Sequence, residues 1–261
     1  MSTLFTQDLW AERERYVSPE ADFAHHGFDP TRFEMGEVCL VTFSSGLFRR
    51  VKERIPVVDE DFPWPYETTP LHLCRTASGK PFGLHFPSYG SVRITNSLEQ
   101  LAACGYRYIL GLGLGGTLQE GVDIGDVVLL EGAVRGDGVS RYYAPEEFPA
   151  VADFALLHRV AQRLEAAGIP YHVGLSFGTD ALYREVPSLI ERLRELGVLL
   201  VDLESSAFLT VGRRLGLQCS WVGVVSDRLV ESEHEGNIHM EHVADRLLRL
   251  SDLLIDLVDE L

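Results

Sequence analysis

YILGLGLGGTLQEGVDIGDVVLL, residues 108–130, is the stretch on which the reading of the fold turns. Residues 108–110 are apolar and strand-like, and Gly111, Gly113, Gly115 and Gly116 follow at once. A second apolar strand, 127–130, is entered through Gly125-Asp126. A strand that runs into glycines lets backbone come close to a ligand, because no Cβ intervenes. In open α/β sheets such crevices lie beyond the carboxyl ends of strands. Gly111-Leu-Gly113-Leu-Gly115-Gly116 nearly fits the dinucleotide fingerprint GxGxxG. That motif has to open a helix, whereas residues 117–126 read as a turn leading to another strand, so a dinucleotide site is rejected.

Working outward, 37–43 (EVCLVTF) is a buried-strand run, and Ser44-Ser45-Gly46 breaks it into a helix over 47–55 with Leu47, Phe48, Val51 and Ile55 at helical spacing. Residues 59–70 (DEDFPWPYETTP) carry too much proline for regular helix. Strands are expected over 71–75 and 81–86 about a Ser78-Gly79 turn, then an amphipathic helix over 91–103 closed by Gly105. Downstream, helices are expected over 153–167, 187–196, 204–215 and 239–261, and strands over 171–176, 198–201 and 220–225. This alternation predicts a mostly parallel sheet covered by helices. The organisation expected is an N-terminal arm, 1–22, holding a short exposed helix or extended segment around Glu12 to Arg15, and one α/β domain, 23–261.

The 261 residues, 46% of them hydrophobic, suffice for one sizeable core. A formal net charge of −16 repels nucleic acid and anionic membranes, so neither is expected as a partner. Cys39, Cys74, Cys104 and Cys219 are scattered in apolar segments without a CxxC, which reads as reduced core thiols in a cytoplasmic protein. No apolar run reaches transmembrane length and no signal-peptide core is seen near the N-terminus.

Two short acidic segments are candidates for chemistry. In Val201-Asp-Leu-Glu204-Ser-Ser206 a strand ends at Asp202 and runs to Glu204 at a helix start. Val224-Val-Ser226-Asp227 repeats the pattern one strand later. Either acid can be read as a helix cap, since carboxylates favour the first turn. Alternatively, two neighbouring strands deliver carboxylates to one edge of a sheet, and Glu204 could accept hydrogen bonds from vicinal sugar hydroxyls.

With these segments the sequence resembles the nucleoside phosphorylase and nucleosidase superfamily, from about His25 onward. The likeness is closest over 134–183, in RGDGVSRYYAPEEFPAVAD (135–153) and HVGLSFGTDALY (172–183), and extends to VDLESSA (201–207). The resemblance implies a single domain with a central mixed, partly barrel-like β-sheet flanked by helices, in a homo-oligomer, a dimer or a trimer of dimers. It implies a nucleoside as substrate, no cofactor, and phosphate as co-substrate if the reaction is phosphorolytic. Glu204 corresponds to the glutamate that holds the ribose hydroxyls, with Leu203 where a methionine usually packs on the sugar. Ser226-Asp227 matches the pair of the purine-acting branches, whose aspartate protonates the base. Leu182 and Tyr183 take the platform beside the base, and His25 corresponds to a histidine that reaches a neighbouring subunit's sugar.

The departures are equally informative. Phosphorolytic members carry Arg-x-Gly-Ser/Thr after the central strand, and here Gly111-Leu112-Gly113-Leu114 stands instead. The first strand's phosphate loop is Phe43-Ser-Ser-Gly-Leu-Phe-Arg49-Arg50, where Arg49 or Arg50 is the candidate cation. A phosphate dianion buried without a guanidinium is costly. The expectation is therefore cleavage of the N-glycosidic bond of a purine-type nucleoside, with Asp227 as general acid, Glu204 fixing the sugar, and water favoured slightly over phosphate as nucleophile. Phosphorolysis is the first alternative, and an inactive nucleoside-binding homologue the second.

His239-Met-Glu-His242, among Glu231, Glu233, His234, Glu235 and Glu241, could suggest a metal, but an acidic loop before a solvated helix face explains it, and no metal is expected. The resemblance makes this segment a lid, with His234 or His239 near substrate. Arg135-Gly136-Asp137-Gly138 is expected to be a turn with a solvated arginine. Trp64 and Tyr66 are expected either to cover the site or to pack at a subunit interface.

Overall fold

The computed structural model describes residues 5, 7–12, 14–58, 62–229, 235–236 and 241–261. In chain order the elements are α1 (Gln7–Ala11), α2 (Pro19–His25), β1 (Val38–Thr42), α3 (Ser45–Arg54), β2 (Leu71–Arg75), β3 (Pro81–His85), α4 (Ser91–Ala103), β4 (Tyr108–Thr117), β5 (Val127–Gly136), β6 (Ala150–Val151), α5 (Phe154–Ala166), β7 (Tyr171–Thr179), α6 (Pro187–Glu195), β8 (Leu200–Asp202), α7 (Ser205–Arg214), β9 (Gln218–Arg228), β10 (Glu235–Gly236) and α8 (Glu241–Val258). Local chemistry sets several boundaries. Ser18, Ser44 and Asp153 cap α2, α3 and α5 through their side-chain oxygens. Gly105, Gly168, Gly197 and Gly216, all at positive φ, follow the last residues of α4, α5, α6 and α7.

The strands form one mixed sheet in the order β10-β9-β5-β7-β8-β4-β1-β3-β2, and β9 also pairs with β4. That extra pairing closes β9, β5, β7, β8 and β4 into a ring, with β1, β3 and β2 as an extension. The barrel-like mixed sheet follows the family resemblance. The mostly parallel pairing expected from alternation holds for β1–β3, β1–β4, β4–β9, β5–β7 and β7–β8, while β4–β8, β5–β9 and β2–β3 are antiparallel and make the sheet mixed. β8 is parallel to β7 and antiparallel to β4, a direction that element order does not encode.

The largest correction concerns residues 108–130. β4 does not stop at Gly111; it continues through the glycines to Thr117. Alternation along β4 sends Ile109 into a core beneath α4 and α7 with Phe208 and Trp221, and sends Leu110 and Leu112 into a second core beneath α3, α5 and α8. The glycines are a packing device. A Cβ on Gly111 would lie 2.8 Å from Trp221 Cδ1, one on Gly113 2.5 Å from Trp221 Cζ2, and one on Gly223 2.2 Å from Trp221 Cη2. Three bare backbone positions on paired strands thus make the slot in which the indole, 1% exposed, is buried.

Residues 62–70 join no helix or strand. Phe62, Trp64 and Tyr66 instead build an aromatic cluster with Phe23, Phe28 and Phe33, held by Trp64 Nε1 donating to the Thr69 carbonyl at 2.8 Å and by the Tyr66 hydroxyl on Asp22. The N-terminal segment lies against α4 and α7, with Arg15 on Glu99 at 2.6 Å and Arg214 donating to the Trp10 carbonyl at 2.8 Å. Its helix, α1, precedes the charged run expected to hold it.

Candidate active site

The carboxyl ends of β1, β3, β4 and β9 lie at one end of the sheet, because these strands run in the same direction with Val41 beside both His85 and Gly111 and with Gly111 beside Trp221. β8 runs opposite to β4, so the chain after Asp202 heads back along β4 toward Leu114. Gly116 is the pivot: on one side it pairs with Val201, on the other with Asp227. The strands bearing the two acidic segments therefore stand about 10 Å apart, two strand spacings, on either side of one glycine.

The structure separates the cap reading from the site reading of Glu204. Glu204 occupies the N-cap position of α7 but makes no side-chain capping bond. Asp202 does that work, its Oδ1 accepting from the amides of Glu204 at 2.8 Å and Ser205 at 2.6 Å. The Glu204 carboxylate turns away and accepts from the Gly90 amide at 2.7 Å, while Ser91 Oγ donates to the Leu203 carbonyl at 2.9 Å. The loop after β3 is thereby stapled to the turn before α7. Ser88 in that loop has φ 69°, a left-handed conformation that costs a non-glycine residue energy and that recurs at functional sites. Burial first, and the neighbouring Asp202 second, push the Glu204 carboxyl up to about 8, with the Gly90 amide pulling the other way. Burial likewise raises Asp202, opposed by hydrogen bonds from Ser205 and the Glu204 amide.

Asp227 is no helix cap either, since β9 continues to Arg228. Ser226 Oγ donates to Asp227 Oδ1 at 2.5 Å and reaches the Gly115 carbonyl at 3.3 Å. A Cβ on Gly116 would lie 2.6 Å from Asp227 Oδ2, so the bare glycine leaves room for the carboxylate.

The expected nucleophile region is apolar. Leu114 packs partly buried against the second core, and the space beside Gly111 is taken by Trp221 and Phe208, whose Cζ is 3.1 Å from the Cβ position. Arg50 pairs with Asp245 of α8 at 3.3 Å and Arg49 is exposed, its Nε 3.4 Å from the Ser45 carbonyl of its own helix. Both emerge from the outer face of α3. His25 is exposed at the end of α2, edge-on to His26. Leu182 and Tyr183, on a short 3-10 turn, are 50% and 97% exposed. Leu203 is half-buried between the two acids of its segment.

Two further expectations can be placed. Arg135 is not solvated: it donates to Ser140 Oγ and to the carbonyls of Ala144, Pro145 and Phe148, and Asp137 accepts from Ser140 and Ser206. The segment ties the end of β5 to the loop that follows it, with Asp137 buried and Gly136 and Gly138 exposed. His234 and His239 fall outside the described residues, and among the described residues no group of three or more His, Cys, Asp or Glu is placed to hold a metal ion. No described helix is long and apolar enough to cross a membrane, and the four cysteines are free and buried. Sequence reasoning missed the clamp at Asp202, the Gly90 amide and the Trp221 slot. Gly90 ahead of an amphipathic helix was the available signal for the second; a long-range side-chain slot has none.

The titrations have a consequence for stability. Glu204 in the folded chain holds its proton from its ordinary 4.5 up to about 8, so the unfolded chain loses that proton first and stability falls as pH rises through this window. His85, buried between the Pro70 carbonyl and Ser97 Oγ, is pushed by burial from 6.5 down to about 4. The unfolded chain binds that proton first, so stability also falls as pH drops from 6.5 toward 4. Between 4.5 and 6.5 the two effects oppose one another, so thermal melts are expected to show a Tm plateau there and a decline above it toward 8, the decline being reduced in Glu204→Gln.

Comparisons with known proteins bear on the family and the fold. A family model described as the phosphorylase superfamily matches residues 25–261. The uridine phosphorylase of Klebsiella aerogenes is 31% identical over 165 residues, 58% of this chain and 65% of that protein's length. The uridine phosphorylase of Thermococcus kodakarensis is 28% identical over 198 residues, 69% of this chain and 72% of that protein. The guanosine phosphorylase of Halorubrum lacusprofundi is 29% identical over 171 residues, 66% of each. Among solved structures, uridine phosphorylase from Vibrio fischeri superposes with a TM-score of 0.72 at 22% identity, covering 89% of this chain and 92% of that one, a likeness of fold. Each of these proteins is named as a phosphorylase.

Proposed function

Because the chain belongs to the phosphorylase superfamily, we propose that it cleaves the N-glycosidic bond of a nucleoside and transfers the sugar to phosphate. The observation that carries the reading is that Asp227 lies on the strand beside Gly116 and Glu204 at the turn just beyond the strand on its other side. Glu204, buried and already accepting one amide, takes the vicinal sugar hydroxyls, and those donors favour its ionised form. Asp227 passes a proton to the departing base as the C1′–N bond breaks and its electron pair moves onto the base. A phosphate oxygen then bonds to C1′ from the opposite face, with phosphate as co-substrate and no cofactor. The Ser226-Asp227 pair supports a purine base. Leu203 packs on the sugar, Leu182 and Tyr183 bear on the base, and His25 serves a neighbouring protomer's site in a cytoplasmic homo-oligomer, a dimer or a trimer of dimers.

A second reading, hydrolysis, is favoured by one observation: Leu114, Trp221 and Phe208 occupy the ground where a guanidinium would hold the anion. Following free-base release from purine and pyrimidine nucleosides, with phosphate present and rigorously removed, separates the two. Phosphorolysis requires phosphate and yields the sugar 1-phosphate. Base release at an undiminished rate without phosphate would replace that reading with hydrolysis, and no release from any nucleoside would remove both.

A further inference from the structure

We propose that Asp202 is a positioning residue, which sets the orientation in which the Glu204 carboxylate meets a sugar. The role rests on the function proposed above, but the geometry stands apart from it. Asp202 is 5% exposed, and its Oδ1 takes both amides of the turn that begins α7. An aspartate at this distance replaces the cap that Glu204 itself would otherwise supply. Glu204 is thereby released from capping, and its carboxylate is free to reach across to the Gly90 amide. The Ser205 and Ser176 hydroxyls, 2.6 Å from one another, lie beside the Asp202 carboxylate and favour its charged form. Asp202 Oδ2 is buried without a hydrogen-bond partner. A second buried carboxylate two residues from Glu204 is thus retained despite its cost, as expected where position matters more than stability.

Among the described residues, the Glu204 carboxylate meets the Gly90 amide ahead of α4 and the charge of Asp202 at the end of β8, while Ser91 donates to the Leu203 carbonyl and Asp137 engages Ser206 two residues further on. Removing the Asp202 charge therefore changes the main like charge acting on Glu204.

The test compares Asp202→Asn and Asp202→Ala in the full chain. The asparagine keeps an oxygen that accepts both amides and loses only the charge; alanine loses both. For Asp202→Asn the Gly90 amide proton resonance should stay where it is in the parent and titrate at lower pH, and KM should change by less than about threefold. For Asp202→Ala the Gly90 amide should lose its titration, and KM should rise about tenfold with a smaller effect on kcat, the size expected for one hydrogen bond to a charged group. If Asp202 served stability alone, Asp202→Ala would lower Tm but leave the Gly90 titration and KM as in the parent, and that result overturns the proposal. The Gly90 resonance needs no turnover, so a parent protein inactive on every nucleoside would refute the function while the positioning role is still decided.

Discussion

Asp227→Asn is expected to reduce base release by about 100- to 10,000-fold, the range spanned by general acid catalysis, with a Tm close to that of the parent. The amide has the size of the carboxyl group and can still accept from Ser226 Oγ, so the strand end should hold its shape. What it lacks is the proton for the leaving base. KM should change little, because the proposed mechanism gives the sugar contacts to Glu204 and not to residue 227. Steady-state kinetics with a purine nucleoside, read beside a thermal melt, checks both halves. Turnover within about threefold of the parent would remove Asp227 from the acid role, since no proton-transfer contribution is so small.

The second large effect is on stability. Trp221→Ala should lower stability by about 3–5 kcal/mol, the range for deleting a large aromatic from a core. The cavity closes poorly, because one side of it is backbone at Gly111, Gly113 and Gly223, which carries no side chain to swing inward. For a chain of this size Tm should fall by roughly 10 °C. Denaturant unfolding measures the change directly. A loss below about 1 kcal/mol would mean that the indole does not fill the slot, and the explanation given for the glycines would fail with it.

That slot also explains what is legible in the sequence. Helices such as α4, α5 and α6 can be read nearly to the residue, since their apolar spacing and closing glycines are local signals. β4 reads too short because glycine in a strand pattern is ordinarily a breaker. Its true cause, an indole far along the chain on β9, leaves no local trace. The direction of β8 is equally hidden: a three-residue strand carries no mark of parallel or antiparallel pairing. The barrel-like sheet comes from resemblance and not from periodicity. Within the site, the two acids stand out as strand-end carboxylates, yet the sequence leaves each as cap or ligand. Coordinates decide this for Glu204 by showing a different residue, Asp202, in the capping role. Arg135 illustrates the converse: a glycine-flanked arginine reads as solvated, but four acceptors of one loop enclose it.

The acceptor is where sequence, structure and relatives pull apart. The relatives are named for phosphorolysis, while Arg50 faces Asp245 and Arg49 lies exposed on α3. The phosphate-dependence assay bears on that question alone; both acceptors need the same sugar and base contacts.

Those contacts are tested most directly by a crystal structure of the Asp227→Asn protein with a purine nucleoside bound. Glu204 should lie within hydrogen-bond distance of both vicinal hydroxyls of the sugar, with the substituted side chain at position 227 beside the base and Gly116 beneath the glycosidic bond. A nucleoside bound elsewhere on the chain, or one in this hollow with Glu204 still turned to Gly90 and clear of the sugar, would contradict the account.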